Sequence, residues 1–125
     1  MSALILVLDD DPLIAMDCAM VCEENGYDVL GPAHSVREAL DLLAKARPDA
    51  AILDVNLGTE TSLPVAERLD KEGVPLMIVS GYAERSMPEG LRGRQRLSKP
   101  YRAIDIASGV EELLTRGGAQ RSAEA

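Results

Sequence analysis

The sequence predicts an α/β fold, a doubly wound five-stranded parallel sheet with helices on both faces. Strand-length apolar segments and helical segments alternate five times along the 125 residues. Strict alternation of this kind implies right-handed crossovers between parallel strands. Residues 50–53 are continuously apolar and lead directly into Asp54, which is typical of a central strand covered on both faces.

The first strand is predicted at residues 4–8, and three acids follow it at once. Pro12 suits the first turn of a helix that Asp11 caps, and Asn25-Gly26 is a strong signal for the end of that helix. The large apolar residues that this helix carries are Leu13, Ile14, Met16, Met20 and Val21.

A short second strand is predicted at residues 27–30, ended by Gly31-Pro32. Residues 35–38 form a capping box, which starts the clearest helix of the chain. Apolar side chains recur on one face of this helix, and it stops before Pro48.

The second half of the chain continues the alternation with less regular helices. The remaining predicted elements are a third strand ending at Asp54, a helix from Pro64 to Gly73, a fourth strand at residues 75–79, a short fifth strand closing at Leu97, and a last helix that gives way at Gly117-Gly118. Residues 81–96 hold three glycines and Pro88, so we expect the helix there to be short or disordered. From these elements we predict one domain at residues 1–116 and a short polar tail at residues 117–125.

Composition and charge restrict the possible partners. The formal net charge of -8 argues against a non-specific grip on nucleic acid or on an anionic membrane, since both require excess positive charge. A partner with a basic docking surface fits better. The amino terminus shows no positive leader and no apolar run of spanning length, so we expect a cytoplasmic protein.

The cysteines and the single histidine do not predict a zinc site. Cys18 and Cys22 are four residues apart on a predicted helix, too far for an unstrained disulfide, and are interpreted as small buried thiols. His34 follows Gly31-Pro32-Ala33 and is interpreted as an ordinary loop residue.

Polar side chains follow four of the predicted strands where each strand ends. They are Asp9 and Asp10 after the first strand, Asp54 after the third, Ser80 after the fourth and Lys99 after the fifth. Clustered carboxylates repel one another and need a cation, and Mg²⁺ takes carboxylates, waters and phosphate oxygens. A hydroxyl and an ammonium beside such an ion suit a transferring phosphoryl group, so this edge predicts phosphoryl chemistry.

Four motifs in this order resemble those of two-component response-regulator receiver domains. They are Leu-Val-Leu-Asp-Asp-Asp-Pro at residues 6–12, Ile-Leu-Asp-Val-Asn-Leu at 52–57, Ile-Val-Ser-Gly at 78–81 and Ser-Lys-Pro at 98–100. The resemblance covers essentially the whole chain. It implies the receiver strand order 2-1-3-4-5 and a cis Lys99-Pro100 peptide bond.

The resemblance also implies a role for each residue at the strand ends. Asp54 would be the phospho-acceptor and a metal ligand, with Asp10 a direct ligand of Mg²⁺ or Mn²⁺. Asp9 would be a further metal-site acid, and the main-chain carbonyl of Asn56 would complete the protein ligands. The remaining implied roles are phosphoryl contacts for Ser80 and Lys99, and room for the phosphoryl group at Gly81.

Two departures from the family pattern concern switching and tuning. Arg96 stands where the family usually has its switch aromatic, and Tyr101 follows Lys99-Pro100. Residues 75–82 resemble the Pro-Phe-x-Phe-Ala-Thr-Gly-Tyr signature of an atypical receiver subfamily, whose members commonly act as stand-alone receivers alongside histidine kinases of the HWE/HisKA2 type. Tyr82, the last residue of that signature, is expected to shield the phosphoryl group from water.

The favoured function is a stand-alone response regulator. It would accept phosphate from a sensor histidine kinase or a phosphotransfer protein and signal through contacts with a downstream protein. It would catalyse only its own phosphorylation and dephosphorylation. The alternative is a haloacid-dehalogenase-like phosphohydrolase using Asp9 and Asp11, whose spacing matches the start of that family's motif.

Overall fold

The strands of the computed structural model, which describes residues 2–81 and 86–124 with side chains as far as Arg116, form one parallel sheet. The elements are β1 (Leu4–Leu8), α1 (Pro12–Glu24), β2 (Asp28–Ala33), α2 (Val36–Lys45), β3 (Ala50–Asp54), α3 (Leu63–Lys71), β4 (Leu76–Ser80), a 3₁₀ turn (Glu89–Leu91), β5 (Arg96–Ser98) and α4 (Ala103–Glu124). The strand order β2-β1-β3-β4-β5 confirms the predicted fold.

Two apolar layers cover the two faces of the sheet. Leu6, Leu8 and Leu53 pack with the buried residues of α2 and α3. Ile5, Val7 and Ile52 point the other way and pack with α1 and α4. Successive side chains of a strand alternate between faces, so strands that are apolar at every position serve both layers. The polar strand ends are therefore held on a rigid support.

Three of the large apolar residues of α1, Leu13, Met16 and Met20, do not pack on the sheet. The buried positions are the small residues Ala15, Cys18, Ala19 and Cys22. Small side chains let the helix approach the strands closely, and both cysteines are buried free thiols as predicted. Leu13, Met16 and Met20 remain about half exposed or more, at 69%, 50% and 48%. An apolar stripe of α1 therefore faces outward.

The second strand extends beyond its predicted end. The prediction that Gly31-Pro32 ends β2 is wrong, because β2 continues to Ala33, which pairs with Leu8 after a register shift. Gly31 adopts φ +102°, a conformation that glycine reaches without strain. β2 is an edge strand, where a proline without an N–H group is tolerated.

Between β4 and β5, the described residues 87–95 form no α-helix and hold the 3₁₀ turn Glu89–Leu91, which confirms the prediction of a short helix. Met87 and Leu91 are buried at 3% and 1% exposure, and Gly90 lies against Leu63 of α3. Arg94 adds a bidentate ion pair with Asp70, at 2.9 and 2.7 Å. These contacts anchor the described part of the segment in spite of its small apolar content.

The last helix continues past its predicted end. α4 runs to Glu124, so the prediction that Gly117-Gly118 ends it is wrong. A glycine inside a helix costs about 1 kcal/mol relative to alanine but does not prevent the next backbone hydrogen bond. Among the described residues, no helix is both long and apolar enough to cross a membrane.

Candidate functional site

The ammonium of Lys99 lies between two carboxylates at the carboxyl edge of the sheet. Its Nζ atom is 3.3 Å from Oδ2 of Asp9 and 3.5 Å from Oδ1 of Asp54. Asp9 follows β1, Asp54 ends β3 and Lys99 follows β5. The parallel strands thus bring together three residues that are far apart in the sequence.

Ser80 and Lys99 are connected through the backbone of neighbouring strands. Ser80 ends β4 and is buried, and its carbonyl oxygen accepts a hydrogen bond from the Lys99 N–H at 2.9 Å. The following Lys99-Pro100 peptide bond is cis, as the family resemblance implied. β5 therefore ends in register with β4 at the point where the lysine side chain turns toward the carboxylates.

Three carboxylates meet at this edge in a way that suits a divalent cation. Asp9, Asp10 and Asp54 each offer an oxygen, and these oxygens lie within 4.8 Å of one another. Asp10 is exposed, whereas Asp9 and Asp54 are buried. A set of hard anionic oxygens beside open solvent fits Mg²⁺, which keeps several waters when bound.

The carboxylates open onto a cleft of about 840 Å³. Its lining residues are Asp10, Asp54, Asn56, Gly58, Gly81 and Lys99. No atom of the residues that the structure describes lies within 4 Å of a Cβ placed at Gly81, so on their side this glycine leaves the cleft open. The cleft has room for a phosphoryl group next to Asp54.

Burial and charge change the protonation of the two central groups. Burial, followed by the charge of Asp9, raises the pKa of the Asp54 carboxyl to about 7. Lys99 lowers this pKa but does not compensate fully. Partial burial disfavours the Lys99 ammonium, yet the charges of Asp54 and Asp9 outweigh burial and raise its pKa. The site thus holds a constant positive charge beside a carboxylate that needs further cationic support.

Asp11 lies next to these acids but has a different task. Its side chain accepts hydrogen bonds from the N–H groups of Leu13 and Ile14, at 2.9 and 3.4 Å, and so caps α1. The phosphohydrolase alternative needs Asp11 in the site. Its engagement as a helix cap removes the structural support for that alternative.

The predicted switch and tuning residues are dispersed. Arg96 is an exposed residue of β5 and is not among the residues that line the cleft. Tyr101 is partly buried and lines a different groove, between α1 and the start of α4, and burial raises the pKa of its phenol above its usual value. Tyr82 lies outside the described residues.

Sequence reasoning missed two residues that support the site. His34, interpreted as an ordinary loop residue, places Nδ1 3.0 Å from the carbonyl oxygen of Asp9. Glu60 accepts a hydrogen bond from the Val36 N–H at 3.0 Å, which ties the loop after β3 to the start of α2. Neither contact has a sequence signal, because each joins residues more than twenty positions apart.

Comparisons with known proteins agree with this geometry. Residues 5–111 match the family model of the response regulator receiver domain. The chain is 27% identical over 116 residues to the transcriptional regulatory protein PdtaR of Mycobacterium tuberculosis, covering 90% of this chain and 57% of PdtaR. It is 34% identical over 129 residues to the response regulator MprA of Mycobacterium bovis, covering 99% of this chain and 56% of MprA.

The fold is also similar to that of a solved response-regulator structure. The response regulator PhyR from Brucella abortus superposes with a TM-score of 0.86 at 26% identity, covering 99% of this chain and 52% of PhyR. The chain thus spans little more than half the length of each of these three proteins.

Proposed function

The chain belongs to the response regulator receiver domain family, and we propose that it accepts a phosphoryl group on Asp54 with Mg²⁺ or Mn²⁺ bound beside it. One observation carries the proposal. Lys99 lies within 3.5 Å of the Asp54 carboxylate, and the carboxylates of Asp9 and Asp10 lie beside this pair. Members of the family are signalling proteins. The only reactions proposed for this protein are its own phosphorylation and dephosphorylation.

The transfer step follows from the position of Asp54. A carboxylate oxygen of Asp54 attacks the phosphorus of a phosphohistidine on the donor, and a new O–P bond forms. The P–N bond breaks, its electron pair stays on the imidazole nitrogen, and that nitrogen takes up a proton from solvent water. Lys99 and Ser80 are proposed to contact the phosphoryl oxygens, as charge and hydroxyl donor respectively.

The cation site is proposed to use four protein groups. The carboxylates of Asp9, Asp10 and Asp54 would hold the ion, with the main-chain carbonyl of Asn56 as a further ligand. When bound, the ion neutralises the acids and the incoming phosphoryl oxygens. Asn56 lines the cleft beside Asp54, which supports its inclusion.

The phosphodonor is proposed to be a sensor histidine kinase or a phosphotransfer protein that docks on α1. Leu13, Met16 and Met20 are the exposed apolar residues of this helix. Met20 also lines the groove of about 660 Å³ that reaches Lys99. A donor seated there would bury apolar surface and bring its phosphohistidine close to the cleft. The downstream protein is proposed to use contacts of the same kind.

The finer family assignment is also a proposal. Pro75, Gly81 and Tyr82 match the atypical signature, and Ser80 is a conservative replacement in it. We therefore propose a kinase of the HWE/HisKA2 type as donor, with Tyr82, Arg96 and Tyr101 as tuning residues in place of the usual switch aromatic. Profiling phosphotransfer from a panel of the source organism's kinases tests this assignment. Transfer only from kinases of other types would contradict it.

We also propose that the protein acts as a stand-alone receiver. Its domain would comprise residues 1–116, and residues 117–125 would form a tail. The mass of the protein in its own cells tests the proposal. A chain of 13.4 kDa would support it, and a longer chain would overturn it.

Phosphorylation by a small phosphoramidate tests the central proposal without any kinase. With Mg²⁺, intact mass should show one added phosphoryl group on the wild type and on Asp11→Asn, the matched control. Asp54→Asn should take up none, and neither should the wild type with a chelator. Labelling of Asp54→Asn at the wild-type rate would overturn the proposal.

A further inference from the structure

His34 joins the end of β2 to the loop that carries the acids. It lies between Ala33, the last residue of β2, and Ser35, the N-cap of α2. Its Nδ1 atom is 3.0 Å from the main-chain carbonyl oxygen of Asp9. A carbonyl oxygen can only accept a hydrogen bond, so Nδ1 must carry the proton. In the neutral ring, this contact selects the Nδ1–H tautomer.

The main-chain N–H, the main-chain carbonyl and the carboxylate of Asp9 each have a bonding partner. Its N–H donates to the carbonyl of Ala33 at 3.0 Å, while its own carbonyl accepts from His34. Its carboxylate accepts from the Asp11 N–H at 2.9 Å and pairs with Lys99. Ala33, which ends β2, and His34, which follows it, therefore fix both main-chain polar groups of Asp9.

Fixing the Asp9 carbonyl has a direct effect on Asp10. The peptide unit is planar, so the carbonyl of Asp9 and the N–H of Asp10 lie in one plane. A hydrogen bond to that carbonyl sets the rotation of the plane and with it the direction in which the Asp10 side chain leaves the backbone. Asp10 is exposed, so packing contributes little to its orientation.

His34 is itself held in place by the start of α2. Its main-chain N–H donates to the Glu38 carboxylate at 3.1 Å. The Glu38 N–H in turn donates to the Ser35 hydroxyl at 3.2 Å, so Ser35 caps the start of α2. The histidine therefore extends from a well-supported helix start and not from a free loop.

We infer that His34 is a positioning residue for the cation site, holding the Asp9 carbonyl so that Asp9 and Asp10 direct their carboxylates toward one ion. This inference rests on the metal site of the proposed function. Partners that orient metal ligands typically change metal affinity by about 10- to 100-fold when they are removed.

Mg²⁺ titration calorimetry on three variants of the full chain tests the inference. His34→Leu removes the donor at similar size and should weaken Mg²⁺ binding about tenfold. His34→Asn places an amide N–H close to the position of Nδ1 and should restore binding to within about twofold of the wild type. Arg37→Gln changes an exposed residue in the first turn of α2, the helix that follows His34; it is the matched control and should bind like the wild type.

The outcomes separate this inference from the proposed function. Failure of the wild type to bind Mg²⁺ would overturn the metal site and, with it, the role of His34. Wild-type affinity in His34→Leu, or equal loss in His34→Leu and His34→Asn, would overturn the role of His34 alone. If His34→Leu does not fold, ¹⁵N NMR of the His34 ring in the wild type decides. A proton on Nδ1 supports the role of His34. A ring protonated on Nε2 and not on Nδ1 would overturn it.

Discussion

Nζ of Lys99 lies 3.5 Å from Oδ1 of Asp54, although the strands that present these two residues, β5 and β3, are separated by β4. The lysine reaches across the end of β4, where the Ser80 carbonyl holds its N–H. Its ammonium is therefore a fixed part of the environment of Asp54, and the pKa of Asp54 depends on it.

Replacing this lysine should change the titration of Asp54. In Lys99→Met, which keeps the chain length but loses the charge, the pKa of Asp54 should rise above its value of about 7 in the metal-free protein. The expected increase is about one pH unit. Carboxyl ¹³C NMR measures it, and Lys45→Met on the exposed side of α2 is the control. An unchanged pKa would show that the pair is broken in solution.

The raised pKa of Asp54 also makes a prediction about stability. The carboxyl titrates at about 7 in the folded protein, against about 3.9 in an unfolded chain. Between these values the native state binds more protons, so the contribution of Asp54 to stability decreases as pH rises from about 4 to 7. Without metal, Asp54→Asn should melt a few degrees above the wild type at pH 8, and the gain should shrink toward pH 5.

Asp41→Asn is the control for that experiment, because Asp41 is an exposed acid of α2. Its melting temperature should follow that of the wild type across the same pH range. A stabilisation of Asp54→Asn that is the same at pH 5 and pH 8 would contradict the assigned pKa.

The two acids after β1 should contribute unequally to cation binding. Asp9 is already engaged by the Asp11 N–H and by Lys99, whereas Asp10 is exposed beside them. Asp10→Asn should weaken Mg²⁺ binding by roughly tenfold, equivalent to about 1.4 kcal/mol, and more than Asp9→Asn does. Mg²⁺ should also raise the melting temperature of the wild type. Equal affinities of the two variants would contradict the assignment of Asp10 as the direct ligand.

The exposed stripe of α1 should matter for the protein donor and not for the chemistry. Met16→Gln and Met20→Gln remove apolar surface that does not support the core. Each should slow phosphotransfer from the cognate kinase by about tenfold, while labelling by a small phosphoramidate stays at the wild-type rate. The small donor is thus the internal control. Equal rates with the kinase would place the docking surface elsewhere.

The segment between β4 and β5 should respond to the phosphoryl mimic beryllofluoride. It begins at Gly81 in the cleft, and Arg92 and Arg94 within it, with Arg96 at the start of β5, make it locally basic. Although Met87, Leu91 and Arg94 anchor it, negative charge at Asp54 should draw this segment further inward, so hydrogen exchange across residues 86–95 should slow. Strong protection that beryllofluoride leaves unchanged would rule out an order–disorder switch.

The sequence by itself determined the sheet and the residues at its functional edge. A strand that is apolar at every position needs apolar cover on both of its faces, and a parallel sheet between two layers of helices provides that cover. The acids that follow such runs then mark the carboxyl ends of the strands. Because all carboxyl ends of a parallel sheet lie at one edge, Asp9, Asp54, Ser80 and Lys99 were predictable as neighbours before any distance was known.

Only the tertiary structure decided how these residues are supported. Helix α1 has two apolar faces, and only one of them can pack against the sheet. The face with the small residues Ala15, Cys18 and Cys22 is buried because small side chains let the helix approach the sheet closely. The other apolar face therefore points outward. The contact between His34 and Asp9 depends on β2 continuing past Gly31-Pro32 to Ala33. Local periodicity carries no record of such contacts, since they arise between segments that meet only when the sheet is assembled.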